Sequence, residues 1–187
     1  MTEKQELRGR WRQLRRQHNS QREAVCQAVQ AYLLHSTGRP GCLGLYWPLA
    51  DEVDLRPLAR QLDRPLALPV GDGRGGLRYR CWDHTPLRPD GCGIPAPAEG
   101  ADLTPDQLHL LLVPALAVDR HGIRLGYGGG YYDRLRADPR WREVPAVVVL
   151  PQACVMDRPL PRDPWDIPFD GWITECGAGQ ARALPAS

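Results

Sequence analysis

No apolar run of 18 residues occurs in this 187-residue chain, which argues against a helix that spans a bilayer. The start is charged from Glu3 onward and holds no apolar h-region, so a secretory signal is not expected. Charge of one sign is scarce as well. Twenty-four Lys and Arg face 22 Asp and Glu, and a net charge of +2 is too small a field to mark a nucleic-acid binder. CxxC pairs are absent: Cys26, Cys42, Cys81, Cys92, Cys154 and Cys176 are scattered, so neither a zinc site nor a disulfide framework is expected, and reduced thiols in a cytoplasmic protein fit best. Phenylalanine is nearly missing, one against six Trp and six Tyr, so most rings carry a polar handle suited to the walls of a site.

What is present is the balance of a folded domain: 42% hydrophobic and 25% charged residues. The length suits one domain with a sizeable core. Nineteen Gly and 19 Pro call for many turns and argue against a simple helical bundle. Residues 3–18 read as a basic amphipathic helix, with Leu7, Trp11 and Leu14 on one stripe and Lys4, Arg8, Arg12 and Arg16 on the next. Ser20 with Glu23 makes a capping box for a second helix through about His35, ended by Gly38, Pro40 and Gly41. Strands are expected at 42–47, 65–70, 77–82, 108–113, 146–150 and 172–174. Asp54 caps a helix to about Leu62, residues 84–106 form a long loop, and the tail beyond Cys176 is loose. There is no internal repeat. The βαβ alternation predicts an α/β domain with a largely parallel, twisted sheet.

The informative stretch is VPALAVDRHGIRLGYGGGYYDRL, residues 113–135. It leaves a buried strand, wanders for about fifteen residues and enters a helix at Gly130 or Tyr131; structureless loops of that length are usually functional. Gly126, Gly128, Gly129 and Gly130 let backbone approach a ligand, their amides face the start of a helix, and Arg124 adds a full charge upstream. A phosphate-cradling loop is one reading and a tight turn is the other. Asp133 leans toward the first, because a carboxylate beside a polyphosphate calls for a bridging cation such as Mg²⁺. Tyr131 and Tyr132 can stack on a flat ring or donate hydroxyls. The stretch is neither the GxxxxGK[ST] loop nor a dinucleotide GxGxxG.

RLGYGGGYYDR, residues 124–134, resembles the signature of the 5-formyltetrahydrofolate cyclo-ligases, also called 5,10-methenyltetrahydrofolate synthetases. EKQELRGRWRQLRR resembles that family's basic first helix, YWPLADEVDLRPL its strand and acidic turn, VPALAVDRHG the lead into the signature, and LPRDPWDIPFDGWIT its C-terminal block. The resemblance implies a Rossmann-like α/β sandwich in a single domain. It also implies an ATP- and Mg²⁺-dependent ring closure of 5-formyltetrahydrofolate to 5,10-methenyltetrahydrofolate, ADP and phosphate. Its partners would be small molecules, not nucleic acid or membrane, and a monomer is the default. Carried over by position, Lys4 and Arg8 would reach the ATP phosphates, and Arg124, Gly126, Tyr127, Gly128, Gly129, Gly130, Tyr131 and Tyr132 would form the nucleotide loop. Asp133 and Asp166 would bind magnesium. Trp47 and Glu52, with Tyr131 and Tyr132, would meet the folate; Arg124, Tyr132 and Asp133 are the candidates for catalysis.

On spacing alone the bland readings stand beside these: a solvated stripe for Lys4 and Arg8, core for Trp47, an ordinary loop acid for Glu52, a turn former for Asp166. Arg10, Arg12, Arg15, Arg16 and Arg22 read as solvated surface. Asp119 and His121 read as turn residues, and His18, His35, His84 and His109 as structural or surface. Three departures from the family's pattern are visible: Gly129 where many members carry Lys, Cys154 and Val155 where many carry Gln, and no Trp before the IPAP of GCGIPAPAEG. They leave a second implication open, a relative that binds folate or nucleotide with little turnover.

Overall fold

The computed structural model describes residues 3–35, 40–83 and 85–183; Gly38, His84 and the end of the expected loose tail lie outside them. The chain opens with α1 (Glu3–Gln17) and α2 (Arg22–His35), then β1 (Cys42–Gly44), α3 (Arg56–Ala59), β2 (Leu66–Gly71) and β3 (Leu77–Trp82). Two short strands, β4 (Arg88–Pro89) and β5 (Pro95–Ala96), precede β6 (Leu108–Pro114). There follow β7 (Ala117–Asp119), β8 (Arg124–Leu125), α4 (Tyr131–Ala137), α5 (Pro139–Arg142), β9 (Ala146–Val149), β10 (Val155–Met156), β11 (Gly171–Thr174) and β12 (Gly177–Gln180).

Seven strands form the main sheet in the order β12-β11-β9-β6-β1-β2-β3. The five inner strands are parallel and the two edges antiparallel. β6 and β9 are buried along their whole length, which is why LHLLLV and AVVV read as unbroken apolar runs and not as alternation. Trp11 of α1 and Leu135 of α4 pack on one face of the sheet, Val25, Val29 and Leu33 of α2 on the other. From β1 the chain winds to β2 on one side and later to β6 on the other, so strand order reverses between them. A crevice outside the carboxyl ends of strands at such a reversal is where open α/β sheets bind ligands.

Several expectations need correction. Ser20 lies in a 3₁₀ turn, Asn19–Gln21, and α2 starts only at Arg22. The Asp54 carboxylate does accept the Arg56 amide at 3.0 Å, but the helix it was expected to start stops at Ala59. Beyond Gly44 the chain runs on extended, with Leu45 N–H donating to Ala67 at 2.8 Å, so strand pairing outlasts β1. Residues 84–106 are not featureless: β4 and β5 pair, and Arg80 bridges Asp102. The stretch after β6 holds an antiparallel hairpin, β7 with β8, turned at Gly122 (φ 79°). Its turn is pinned by the buried Asp119, whose carboxylate accepts the amides of His121, Ile123 and Leu160. The tail is ordered as well: β12 pairs with β11, and the Thr174 hydroxyl donates to the Gly177 carbonyl at the turn. A Gly-Ala-Gly strand has no apolar alternation to announce it.

Trp11 is 6% exposed and joins α1 to the sheet. Trp11→Ala is expected to cost about 3–5 kcal/mol in denaturant unfolding, the range for deleting a buried aromatic side chain. A loss below about 1 kcal/mol would show that α1 docks through its charges instead.

Candidate active site

A cavity of about 440 Å³ opens at the strand reversal. Its walls come from the loop after β1, the ends of β2 and β6, the glycine loop with α4, the first turns of α1, and the turns around Cys92 and Asp166. Every candidate named from the sequence lines it: Lys4, Arg8, Trp47, Glu52, Arg124, the glycine loop with its tyrosines, Asp133 and Asp166.

The glycine loop is shaped by its neighbours. Gly128 (φ 105°) and Gly130 (φ 65°) take left-handed conformations that side chains resist, and Gly130 opens α4. Arg8 lies over the loop and donates from Nε to the Gly126 carbonyl at 3.0 Å. A side chain at Gly129 would meet the Tyr131 ring at 2.8 Å, so glycine there lets the ring fold back. Arg134 donates to the carbonyls of Gly129 and, at 2.8 Å, Gly75, which ties the loop to the β2–β3 turn. α4 is two turns long, so attraction for an anion rests on the guanidinium and ammonium groups more than on a helix dipole.

Arg124 is almost fully enclosed. It donates from Nη1 to the Pro114 carbonyl at 3.0 Å, and its guanidinium lies 5.0 Å from the Tyr132 ring centre. Asp133 sits 3.7 Å from Arg124 Nη2, a loose pairing that leaves its half-exposed carboxylate open to the cavity. Asp166 is placed differently. Lys4 Nζ reaches both Asp163 and Asp166 at 2.6 Å, and the Asp163 amide also donates to Asp166. Partial burial pulls the Lys4 ammonium down, but the two carboxylates outweigh it and hold it above its ordinary value. Lys4 and Asp166, expected to face phosphate and metal separately, are therefore each other's partners in the structure.

Glu52 is the least exposed acid of the cavity, at 2%. A tight turn fixes it, its amide donating to the Leu49 carbonyl at 2.9 Å and its carboxylate accepting the Leu49 amide at 2.8 Å. Burial raises its carboxyl above the ordinary value, although Arg15, Tyr127 and Arg124 pull the other way. Burial likewise pushes the Tyr132 hydroxyl up to about 12, so it serves as a donor near neutrality. Trp47 meets Trp82 edge to face at 6.2 Å between ring centres.

Sequence reasoning passed over Arg15, which is 2% exposed and donates to the Ala115 carbonyl, the Tyr127 hydroxyl and the Asp51 carbonyl. It also missed the Cys92 wall, where Asp90 accepts the amides of Gly71, Cys92 and Ile94 and the Cys92 thiol donates to the Tyr131 hydroxyl at 3.0 Å. The Asp-Gly-Cys-Gly run at residues 90–93 is legible in the sequence as a turn and nothing more.

The Glu52 shift has a consequence for stability. A carboxyl raised on folding holds its proton more tightly in the native state, so stability falls as pH rises past the ordinary value of 4.5. Glu52→Gln removes that penalty. Its melting temperature should exceed that of the parent at pH 7, with the gap closing below about pH 4. An equal gap at both pH values would contradict the shift.

Known proteins resemble this chain in sequence and fold. The profile of the 5-formyltetrahydrofolate cyclo-ligase family matches residues 1–175. The chain is 29% identical over 136 residues to 5-formyltetrahydrofolate cyclo-ligase of Haemophilus influenzae, spanning 68% of this chain and 72% of that protein. The NMR structure of Aquifex aeolicus 5,10-methenyltetrahydrofolate synthetase superposes with a TM-score of 0.80 at 30% identity, over 100% of this chain and 96% of that one. A 5,10-methenyltetrahydrofolate synthetase from Mycoplasma pneumoniae, 21% identical over 93% of this chain and 99% of that one, shares the fold at a TM-score of 0.71. With the match running through both the first helix and the glycine loop, this chain belongs to the 5-formyltetrahydrofolate cyclo-ligase family.

Proposed function

We propose that the cavity binds ATP and 5-formyltetrahydrofolate together and closes the folate's five-membered ring at the expense of ATP. One observation carries this reading: the signature loop, the first turns of α1 and the acidic turn after β1, far apart in sequence, line a single cavity at the strand reversal. Arg8 and Arg124 supply fixed positive charge for the phosphates, with Lys4 joining them by exchanging its carboxylate partners for phosphate oxygens. Glu52 faces the folate with a carboxyl that suits N–H donors, and Trp47, Tyr131 and Tyr132 offer ring faces.

A formamide oxygen leaves poorly. Attack by that oxygen on the γ-phosphorus forms an O–P bond, breaks the bond to ADP and yields an iminophosphate. N10 then attacks the formyl carbon, loses its proton, and phosphate departs with the former formyl oxygen. Phosphoryl transfer is governed by alignment and charge neutralisation, and no nucleophile from the protein is required. Arg8 and Arg124 are each fixed by a backbone carbonyl, and the Tyr132 hydroxyl keeps its proton and is a donor for that task.

The donor set suits magnesium arriving with its phosphates, since that ion keeps several waters and takes one or two carboxylates. No cluster of three or more His, Cys, Asp or Glu donors occurs among the described residues, as a dedicated cage would need. Asp133 would hold the ion, with Asp166 a second ligand if Lys4 releases it. When bound, it would neutralise phosphate charge.

Purified protein given MgATP and 5-formyltetrahydrofolate should produce the near-ultraviolet absorbance of the methenyl product, dependent on both substrates. Asp133→Asn should lower kcat about 10²-fold or more with an unchanged melting temperature. Absence of product at high enzyme concentration would overturn the ligase reading; parental kinetics in Asp133→Asn would overturn the metal role.

A further inference from the structure

A second cavity, of about 970 Å³, lies beside the first, and Trp47 lines both. The inner cavity has the size that encloses one drug-sized ligand, whereas the proposed reaction brings two large ones. Part of a substrate must therefore extend outward, and the shared tryptophan marks where. The outer groove is walled by the Trp47–Trp82 pair, by Arg56 stacked 4.7 Å above the centre of the Trp47 ring, and by Arg60. Asp54 is the sole acid among its described lining residues, and Arg56 already neutralises it through contacts of 2.8 and 2.6 Å. Arg60 is exposed and caps the C-terminal end of α3, four residues beyond Arg56. No carboxylate among the described residues comes within ion-pair distance of it, so the groove keeps one uncompensated positive charge.

A folate has a pterin with N–H donors at one end, an aminobenzoyl ring in the middle and a glutamate with two carboxylates at the other. The buried Glu52 repels the acidic end and accepts from the pterin. That polarity turns the tail outward. Resting on the ligase reading, we propose that the Trp47–Trp82–Arg60 groove takes the aminobenzoyl-glutamate end, with Arg60 recognising its carboxylates and setting preference for a glutamylated substrate. The flat ring meets the tryptophans, and the guanidinium offers paired N–H donors to a carboxylate.

The test compares 5-formyltetrahydrofolate with 5-formyltetrahydropteroate, which lacks the glutamate. Arg60→Ala should raise KM for the folate about threefold to tenfold, Arg60→Glu further, and Arg60→Lys should restore most of it. kcat and the KM for ATP should stay within about twofold, and the pteroate KM should not respond to any of the three. A folate KM that ignores Arg60→Glu, or an equal response of both substrates, overturns the groove assignment and leaves the ligase reading standing. Should the parent protein make no product, the ligase reading falls by itself. Titration with p-aminobenzoylglutamate, followed by tryptophan quenching, then decides the groove: quenching weakened by Arg60→Glu supports it, and equal quenching overturns it.

Discussion

From the middle of α1, the buried guanidinium of Arg15 donates to three separate parts of the chain. Nη1 bonds the Ala115 carbonyl just past β6 and the Tyr127 hydroxyl in the glycine loop, both at 2.7 Å, and Nη2 bonds the Asp51 carbonyl at 2.5 Å. A charge enclosed to that degree is tolerated only when its donors are largely matched; Nε has no partner among the described residues, and losing an acceptor would leave a further N–H unmatched. The three segments it joins are the ones that present Glu52, Pro114 and the glycine loop to the cavity. Glu52 lies in the field of Arg15 and Arg124, which offset part, but not all, of the cost of burying its carboxylate. The first helix is thereby part of the site as well as its cover. Trp11 anchors it on one side, and Arg8, two turns before Arg15, is delivered onto the Gly126 carbonyl.

Two kinds of order meet in the cavity. Its floor is the parallel sheet, where β1, β2 and β6 end in a crevice made by reversal of the strand order. Its rim is made of turns held by side chains: Asp90 at the Cys92 turn, Arg134 between the Gly75 and Gly129 loops, and Lys4 with Asp163 and Asp166. The floor fixes where the cavity opens. The rim is built from contacts at the surface that cost little to exchange, which suits a site that must admit and release charged molecules.

Much of the fold was legible because burial writes itself into pattern. β3 falls on residues 77–82 as its alternation predicts, and the fully buried β6 and β9 read as apolar runs. The cavity-lining residues named from the sequence were found through the glycine signature and the family resemblance, since spacing alone left Lys4, Glu52 and Trp47 with bland readings. Arg15 escaped notice because it stands in a row of arginines, and local sequence cannot tell the one that points inward. The β7–β8 hairpin and β12 were missed for another reason. Their pairing comes from the Asp119 carboxylate and from small residues beside β11, tertiary partners with no local periodicity. The pairing of Lys4 with Asp166 spans 162 positions and has no signature at all.

The central claim is that one cleft holds both substrates so that the γ-phosphoryl group passes to the formyl oxygen. It is tested most directly by turning over 5-formyltetrahydrofolate labelled with ¹⁸O in the formyl group, in ordinary water with MgATP, and weighing the released phosphate. Phosphate carrying the label, in step with methenyl formation, is the predicted result. Unlabelled phosphate accompanying the same product would mean that ATP is split without touching the formyl group, and would contradict the account.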